Sequence, residues 1–288
     1  MKKTINAQTK LLGLIGSPVG HSLSPMMHNH LLGLLDLNYV YTAFDLKPEL
    51  LGDGVKGLVA LGARGFNVTV PHKEKILPFL DEIEANAKII GAINTILVEN
   101  GRTFGYNTDI TGFKKSILRA GFSPKGKTVS VLGAGGAARA AIIGLSELEA
   151  AVINIINRDQ ERAQTIIETY EKDAIDNIKN IHTQDTEEAL RQSSLVVNAT
   201  SVGMKGYLSE VSPIPGEYLN NGIWVCDLVY NPLETIFLKE AKRNGCIIID
   251  GLDMLVHQGA DAFKIWTGVE PPRQEIKKFL INQIANGY

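Results

Sequence analysis

Residues 128–139 read Thr-Val-Ser-Val-Leu-Gly-Ala-Gly-Gly-Ala-Ala-Arg, and this stretch decides the fold. An apolar run, 128–132, leads into a glycine turn and then into helical spacing from Gly136. A dinucleotide-binding turn needs that order of strand, turn and helix. Gly133 permits the tight turn, Gly135 lets the backbone approach a pyrophosphate, and Ala138 allows close helix–strand packing. The helix start adds unpaired N–H groups and the positive end of its dipole. A glycine turn that binds nothing shares the GxGxxA spacing but has no need of the flanking strand and helix.

The end of the next strand discriminates between nicotinamide cofactors. An acid there hydrogen-bonds the ribose 2′-hydroxyl of NAD, whereas an arginine accommodates the 2′-phosphate of NADP. The chain has Asn157-Arg158-Asp159, with Arg162 one turn on. Arg158 and Arg162 suit a phosphate through charge-assisted bonds; Asp159 opposes it by repulsion. NADP is therefore the expected cofactor, with NAD possible. As plain structure, the two arginines are solvated surface charge.

Outward from this stretch, strand and helix patterns alternate. Upstream, strands are expected at 11–16, 39–46 and 65–70, with a hairpin of 92–99 and 102–106 turning at Asn100-Gly101. Helices are expected at 25–35, 49–61, 72–80, 82–89 and 109–120. Downstream, strands are expected at 128–132, 152–156, 195–198, 224–228 and 247–249, with helices at 136–147, 162–171, 187–191 and 233–244. Beyond Leu252 only helical spacing remains, at 254–266 and 273–285. The reading is an α/β fold of two domains with largely parallel sheets: residues 1–122, a Rossmann-type domain over 123–252, and helices of 253–288 returning to the first domain.

Composition sets the outer limits. The chain has 288 residues, 44% hydrophobic and 21% charged, with a formal net charge of -2. Two ordinary domains fit that length, and no basic field invites nucleic acid or anionic lipid. Two cysteines, Cys226 and Cys246, cannot build a disulfide framework or a four-ligand zinc site. The start, MKKTINAQTK, has no apolar stretch of a leader, and no run approaches the ~20 apolar residues of a membrane span. A cytoplasmic protein is expected, monomeric or homodimeric, without membrane or nucleic-acid partners. His28 and His30 are two apart on a helix and diverge, so no metal site is expected. His21 and His72 read as surface histidines; Trp224 and Trp266 read as packing residues.

Four polar clusters fall at or near strand ends, the edge where open α/β sheets bind ligands. In His21-Ser22-Leu23-Ser24-Pro25, both hydroxyls can face one carboxylate; a Ser24 helix cap with Pro25 at the first helical position is the structural alternative. In Asn67-Val68-Thr69-Val70-Pro71-His72-Lys73, Asn67 and Thr69 share the face opposite the valines. Asn94-Thr95 interrupts an apolar run, and Tyr106-Asn107-Thr108-Asp109 ends where a helix begins, so Asp109 can also be a cap.

The series HSLSP, NVTVPHK, GAINT, YNTD, GAGGAAR, NATSVGM, DLVYNP and GLDMLVHQGA resembles the shikimate dehydrogenase family, in family order and over nearly the whole chain. The resemblance implies reversible reduction of 3-dehydroshikimate to shikimate with NADPH, a step towards chorismate and the aromatic amino acids. It implies Lys73 and Asp109 as the catalytic pair, and Ser22 and Ser24 as holders of the substrate carboxylate. It places Asn67, Thr69, Asn94, Asp109, Tyr230 and Gln258 around the substrate. It places Gly133, Gly135, Gly136, Ala137, Asn157, Arg158, Asp159, Arg162, Thr200, Val229, Gly251 and Met254 around the cofactor. The chemistry suits these types: carbonyl reduction adds hydride to carbon and needs a proton on oxygen, which an ammonium can give. Asp159 departs from the family's small hydroxylic residue, so an NAD-preferring quinate/shikimate dehydrogenase is the alternative. A non-catalytic ligand-binding paralogue is a further one; it need not keep Lys73 and Asp109 together.

Overall fold

A computed structural model describes residues 5–172 and 175–287. The first four residues of the amino-terminal stretch lie outside them. The chain forms two compact units, one of residues up to Thr108 together with Gln258 onward, the other Asp109–His257. The first break falls ahead of residue 122 because the helix α4 (Asp109–Ala120) packs on α5 (Gly136–Glu147). Lys114 Nζ pairs with Glu147 at 2.6 Å across that contact. The second break falls inside α9 (Leu252–Thr267), so the end of α9 and α10 (Arg273–Ala285) belong to the first unit.

In the first unit the strands are β1 (Lys10–Gly16), β2 (Tyr39–Asp45), β3 (Gly65–Val68), β4 (Glu82–Ile83), β5 (Thr95–Glu99) and β6 (Arg102–Tyr106). They lie in the order β2-β1-β3-β5-β6-β4. β1 is flanked by parallel partners on both sides. A strand so placed is apolar throughout: Leu12, Leu14 and Ile15 are all buried, each worth about 2 kcal/mol of transferred apolar surface. β5 runs antiparallel to β3 and β6. The β5–β6 turn has Asn100 and Gly101 at φ 52° and 75°, the positive-φ pair of a two-residue hairpin. This reversal carries the start of β5 and the end of β6 to the carboxyl edge of β3: Asn67 pairs with Thr95, and Thr95 with Tyr106. The helices are α1 (Ser24–Leu34), α2 (Leu51–Ala60) and α3 (Ala85–Ile90). Trp266 of α9 is buried and its indole donates to the Ile96 carbonyl at 2.9 Å, pinning the returning helix to the sheet.

The second unit holds β7 (Thr128–Leu132), β8 (Val152–Ile156), β9 (Ile178–Ile181), β10 (Leu195–Asn198), β11 (Trp224–Asp227) and β12 (Ile247–Ile249), ordered β12-β11-β10-β7-β8-β9. Every pairing among them is parallel. Its helices include α6 (Gln160–Glu171), α7 (Thr186–Arg191) and α8 (Ile236–Arg243).

Several elements differ from the sequence reading. The helix expected at 72–80 is a turn followed by a 3₁₀ segment, Leu77–Phe79; Pro78 disfavours a helical Leu77 and offers no N–H. The helix expected at 82–89 is split, because Glu82 and Ile83 pair with β6 before α3 begins. Strand β9 went unread; its four residues are too few for a periodic signal. The helix expected from residue 233 begins only at Ile236: residues 231–234 form bends, and Thr235 caps α8 by accepting from the Leu238 amide. Ser24 is the first residue of α1 rather than its cap. His72 is fully buried, not a surface group. Among the described residues no helix is long and apolar enough to cross a membrane.

Candidate active site

In the first unit, four clusters meet at the carboxyl edge of β1 and β3. The Ser22 hydroxyl accepts from the Ser24 amide at 3.3 Å, which folds the loop back before α1 and leaves Ser22 half-buried. Thr69 follows β3, its amide donating to Ile15 O at 2.9 Å. His72 closes the next turn from within: its amide bonds Thr69 O, and Nε2 lies 2.6 Å from Leu46 O. That carbonyl is an acceptor only, so Nε2 carries the proton. Lys73, half-buried, follows on this anchored turn, and its carbonyl accepts from the Ile93 amide at 2.8 Å.

The next residue, Asn94, is the hub. Its Oδ1 accepts from the Thr108 amide at 2.8 Å and from the Thr95 hydroxyl at 3.0 Å. Its Nδ2 donates to the Thr108 hydroxyl at 2.9 Å and, at 3.5 Å, approaches Gln258 Oε1. The segment carrying Lys73 is therefore tied to residue 93, and Thr108 to residue 94. Asp109, the residue after Thr108, opens α4 and is 5% exposed. Lys73 belongs to the first unit and Asp109 to the second.

Asn67 is committed inward. Its Nδ2 donates to Asn94 O at 3.0 Å and Thr95 Oγ1 at 3.1 Å, and its Oδ1 accepts from the Tyr41 hydroxyl at 2.7 Å. Both amide protons are used, and these bonds hold the Asn94 segment. Behind it, His28 stacks on Tyr41 at 4.5 Å between ring centroids. Burial drives the His28 imidazole down to about 3, against a smaller opposing pull from Asn67. Neither ring nitrogen makes a geometrically sound hydrogen bond. Sequence spacing gave no sign of this support: Tyr41 and His28 read as ordinary strand and helix residues.

In the second unit the glycine turn lies where expected. Gly133 has φ +110°, a region closed to most side chains, and its amide donates to Ile156 O at 2.9 Å. That bond sets the turn beside the end of β8. Gly135 takes an extended conformation as the cap of α5, and a Cβ there would meet open space. The glycine at 135 thus leaves open space against the backbone, the room that a closely approaching pyrophosphate needs. The turn, the start of α5 and its unpaired amides thus fit a pyrophosphate.

Next to the turn, Asn157 Nδ2 donates to Asp159 O at 2.7 Å. The Asp159 carboxylate caps α6 by accepting from the Arg162 amide at 3.0 Å. It does the work of the hydroxylic residue it replaces, and the helix dipole offsets part of its charge. Arg158 and Arg162 are exposed beside it. On the other side of the turn, the Ala199 amide bonds Leu132 O and the Leu228 amide bonds Asn198 O, both at 2.9 Å. Thr200, Val229 and Tyr230 therefore follow neighbouring strand ends. Gly251 passes so close that a Cβ would lie 2.6 Å from Leu228 O and 2.7 Å from Val229 O. Met254, one turn into α9, is 7% exposed.

Comparisons with known proteins agree along the chain. Residues 14–96 match the family described as shikimate dehydrogenase substrate binding domain, and residues 116–206 match shikimate/quinate 5-dehydrogenase. Residues 251–278 match the shikimate 5′-dehydrogenase C-terminal domain. A shikimate dehydrogenase (NADP(+)) of Methanococcus aeolicus is 44% identical over 96% of this chain and 99% of its own. A crystal structure of a shikimate dehydrogenase in complex with NADP+ superposes with TM-score 0.90 at 42% identity, covering 98% of both chains. The shikimate 5-dehydrogenase of Thermus thermophilus, in complex with NADP(H) and shikimate, superposes with TM-score 0.83 at 38% identity, over 93% of this chain and 97% of its own.

Proposed function

Because the chain belongs to the shikimate dehydrogenase family, we propose that it catalyses reversible NADPH-dependent reduction of 3-dehydroshikimate to shikimate, with Lys73 and Asp109 as the catalytic pair. The observation that carries this reading is the pair of ties around Asn94: residue 73 is bound to 93, and residue 108 to 94. Two chemically distinct groups, an ammonium and a carboxylate, thereby follow segments tied to two consecutive residues, Ile93 and Asn94.

When bound, the nicotinamide supplies a hydride to the carbonyl carbon. The Lys73 ammonium gives the carbonyl oxygen its proton as charge develops there, and takes it back in the oxidative direction. Asp109 orients a ring hydroxyl by accepting its hydrogen bond. Ser22 and Ser24 receive the substrate carboxylate. Asn67, Thr69, Asn94, Tyr230 and Gln258 present the hydroxyl and amide groups that a polyhydroxylated ring needs. A site built around ligand hydroxyls rejects analogues lacking them. Gly133, Gly135, Gly136 and Ala137 cradle the pyrophosphate; Asn157, Arg158 and Arg162 face the adenosine 2′-phosphate, with Asp159 capping below. Thr200, Val229, Gly251 and Met254 border the nicotinamide. The first unit is thus the substrate-binding domain and the second the NADP-binding domain. We place the protein in the cytoplasm, as monomer or homodimer, where this cofactor and these small acids occur.

The test is a spectrophotometric assay of nicotinamide reduction with shikimate or quinate against NADP or NAD. Shikimate with NADP is expected to give the highest kcat/KM. Faster turnover of quinate with NAD, or none with any pair, would overturn the reading.

A further inference from the structure

Asp227 ends β11 in the Asp-Leu-Val-Tyr-Asn-Pro stretch and is completely buried, yet it has no part in the site described above. Its Oδ1 accepts from Asn198 Nδ2 at 2.9 Å and from the Val229 amide at 3.0 Å. Its Oδ2 accepts from the Thr235 hydroxyl at 2.6 Å. Each partner controls a different segment. Asn198 turns its Oδ1 to the Thr200 amide at 3.1 Å and the Thr200 hydroxyl at 2.7 Å, while its Nδ2 also reaches Val202 O at 3.2 Å. The Thr200 hydroxyl accepts in turn from the Val202 amide at 3.2 Å. Val229 precedes Tyr230. Thr235, its proton given to Asp227, has lone pairs left for the Leu238 amide at 3.3 Å, the cap of α8.

We propose that Asp227 is a positioning residue for the cofactor: one carboxylate fixes the 198–202 turn, the exit of β11 and the start of α8 in a single register. The proposal rests on the reading of Thr200 and Val229 as neighbours of the nicotinamide, with Tyr230 next to Val229 as a substrate contact. Donor directions support it. As arranged, all three groups donate to Asp227, which suits an ionised carboxylate; a protonated acid would have to turn its own O–H onto the Thr235 oxygen and displace that hydroxyl's proton. Asn198 cannot flip without turning its carbonyl onto Asp227 and its amide onto the Thr200 amide. The geometry therefore specifies one arrangement of the edge rather than several. Protonation would add a fourth donor among the three and free one segment. Burial pushes the Asp227 carboxyl up to about 6, with the bonds to Thr235, Val229 and Asn198 holding it down. The ionisable groups close by are the Cys226 thiol on the same strand, which burial, Asp227 and Asp250 push well up, and Asp250 after β12.

The experiment is a fluorescence titration of NADPH onto wild type, Asp227→Ala and Asp227→Asn at pH 8 and pH 5.5. Asp227→Ala leaves buried donors unmatched and is expected to weaken NADPH about tenfold at pH 8. Asp227→Asn turns an amide donor onto the Thr235 hydroxyl, as the protonated acid would, so it too should bind NADPH about tenfold more weakly than wild type at pH 8, without a carboxyl left to titrate. The cofactor 2′-phosphate itself titrates near pH 6, so the informative quantity is the difference between proteins. On going to pH 5.5, wild type should lose about fourfold more affinity than Asp227→Asn, because only its ionised fraction stays competent. Asp227→Ala within twofold of wild type, or Asp227→Asn following the wild-type pH profile, would overturn the proposal. If Asp227→Ala does not fold, the pH comparison with Asp227→Asn decides alone. Wild type failing to bind NADPH at all would instead overturn the cofactor reading on which the proposal rests.

Discussion

His28 provides the sharpest test of how this core is built. The ring is fully buried and stacked on Tyr41 at 4.5 Å, with Phe263 at 6.2 Å and Trp266 edge-on at 5.2 Å. Burial lowers its pKa from 6.5 to about 3. The unfolded chain therefore takes up a proton below pH 6.5 that the native protein refuses. The unfolded state binds more protons in the window from about pH 6.5 down to 3, so stability falls there as pH falls. The slope approaches about 1.4 kcal/mol per pH unit, and from pH 7.5 to pH 5 the loss from this group is about 2 kcal/mol. Phenylalanine keeps the stacked outline and cannot protonate. Its extra volume costs about 1 kcal/mol, but equally at every pH. Thermal unfolding followed by circular dichroism at pH 5, 6, 6.8 and 7.5 would read the difference. His28→Phe should start near or below wild type at pH 7.5 and gain on it by roughly 4–8 °C at pH 5, at 2–4 °C per kcal/mol. Parallel Tm–pH curves for the two proteins would refute the reasoning, since they would mean that the ring is already satisfied when charged.

Three further outcomes test the site. Lys73→Met should lower kcat by at least about 10²-fold, as expected for a lost proton-transfer group, with NADPH affinity unchanged by titration; near wild-type turnover would remove Lys73 from the mechanism. Arg158→Ala should weaken NADP by about tenfold or more and leave NAD little changed, because a charge-assisted bond to the phosphate is lost; equal weakening of both would contradict a phosphate contact. Gly251→Ala places a Cβ 2.6 Å from the Leu228 carbonyl, so the 228–229 backbone must move, at about 1–3 kcal/mol of stability by differential scanning fluorimetry and with weaker NADPH binding; an unchanged Tm and affinity would show that this close approach can relax freely.

The parts of the fold legible in the sequence were those with a local cause. The glycine turn at 133–136 is flanked by a strand and a helix whose patterns are visible in the residues themselves. The Asn100-Gly101 hairpin follows from the two residues that tolerate positive φ. The 72–80 segment misled because its apolar spacing is helical, while Pro78 and the long-range bond from His72 to Leu46 O determine its shape. The short strands β4 and β9 exist through partners distant in sequence. In the same way, the motif residues were visible but their division of labour was not. Asn67 reads like a ligand contact, and its three internal bonds, which no local pattern announces, come from partners distant in sequence. Asp159 reads like a charge opposed to phosphate, and only its bond to the Arg162 amide shows it to be a cap.

The two units brace their ligand edges with different chemistry, and the difference has consequences. In the first, Asn67, Asn94, Thr95 and Thr108 form a network of neutral donors and acceptors. Such a network is indifferent to pH and costs little to bury once every group is satisfied. In the second, a single carboxylate collects three donors, and burial raises its pKa towards 6. An anion there is strained by desolvation above that pH: the native state holds its proton more tightly than the unfolded chain does, so this group favours folding more as pH falls from about 6 towards 4. Asp227 thus opposes stability at neutral pH, where the proposal requires it to be charged. A neutral hydrophobic residue of similar volume would fold as well or better, so stability alone gives no reason for an acid at that position. The reason lies in the arrangement of the 198–202 turn and the β11 exit, which only an acceptor facing three donors can hold.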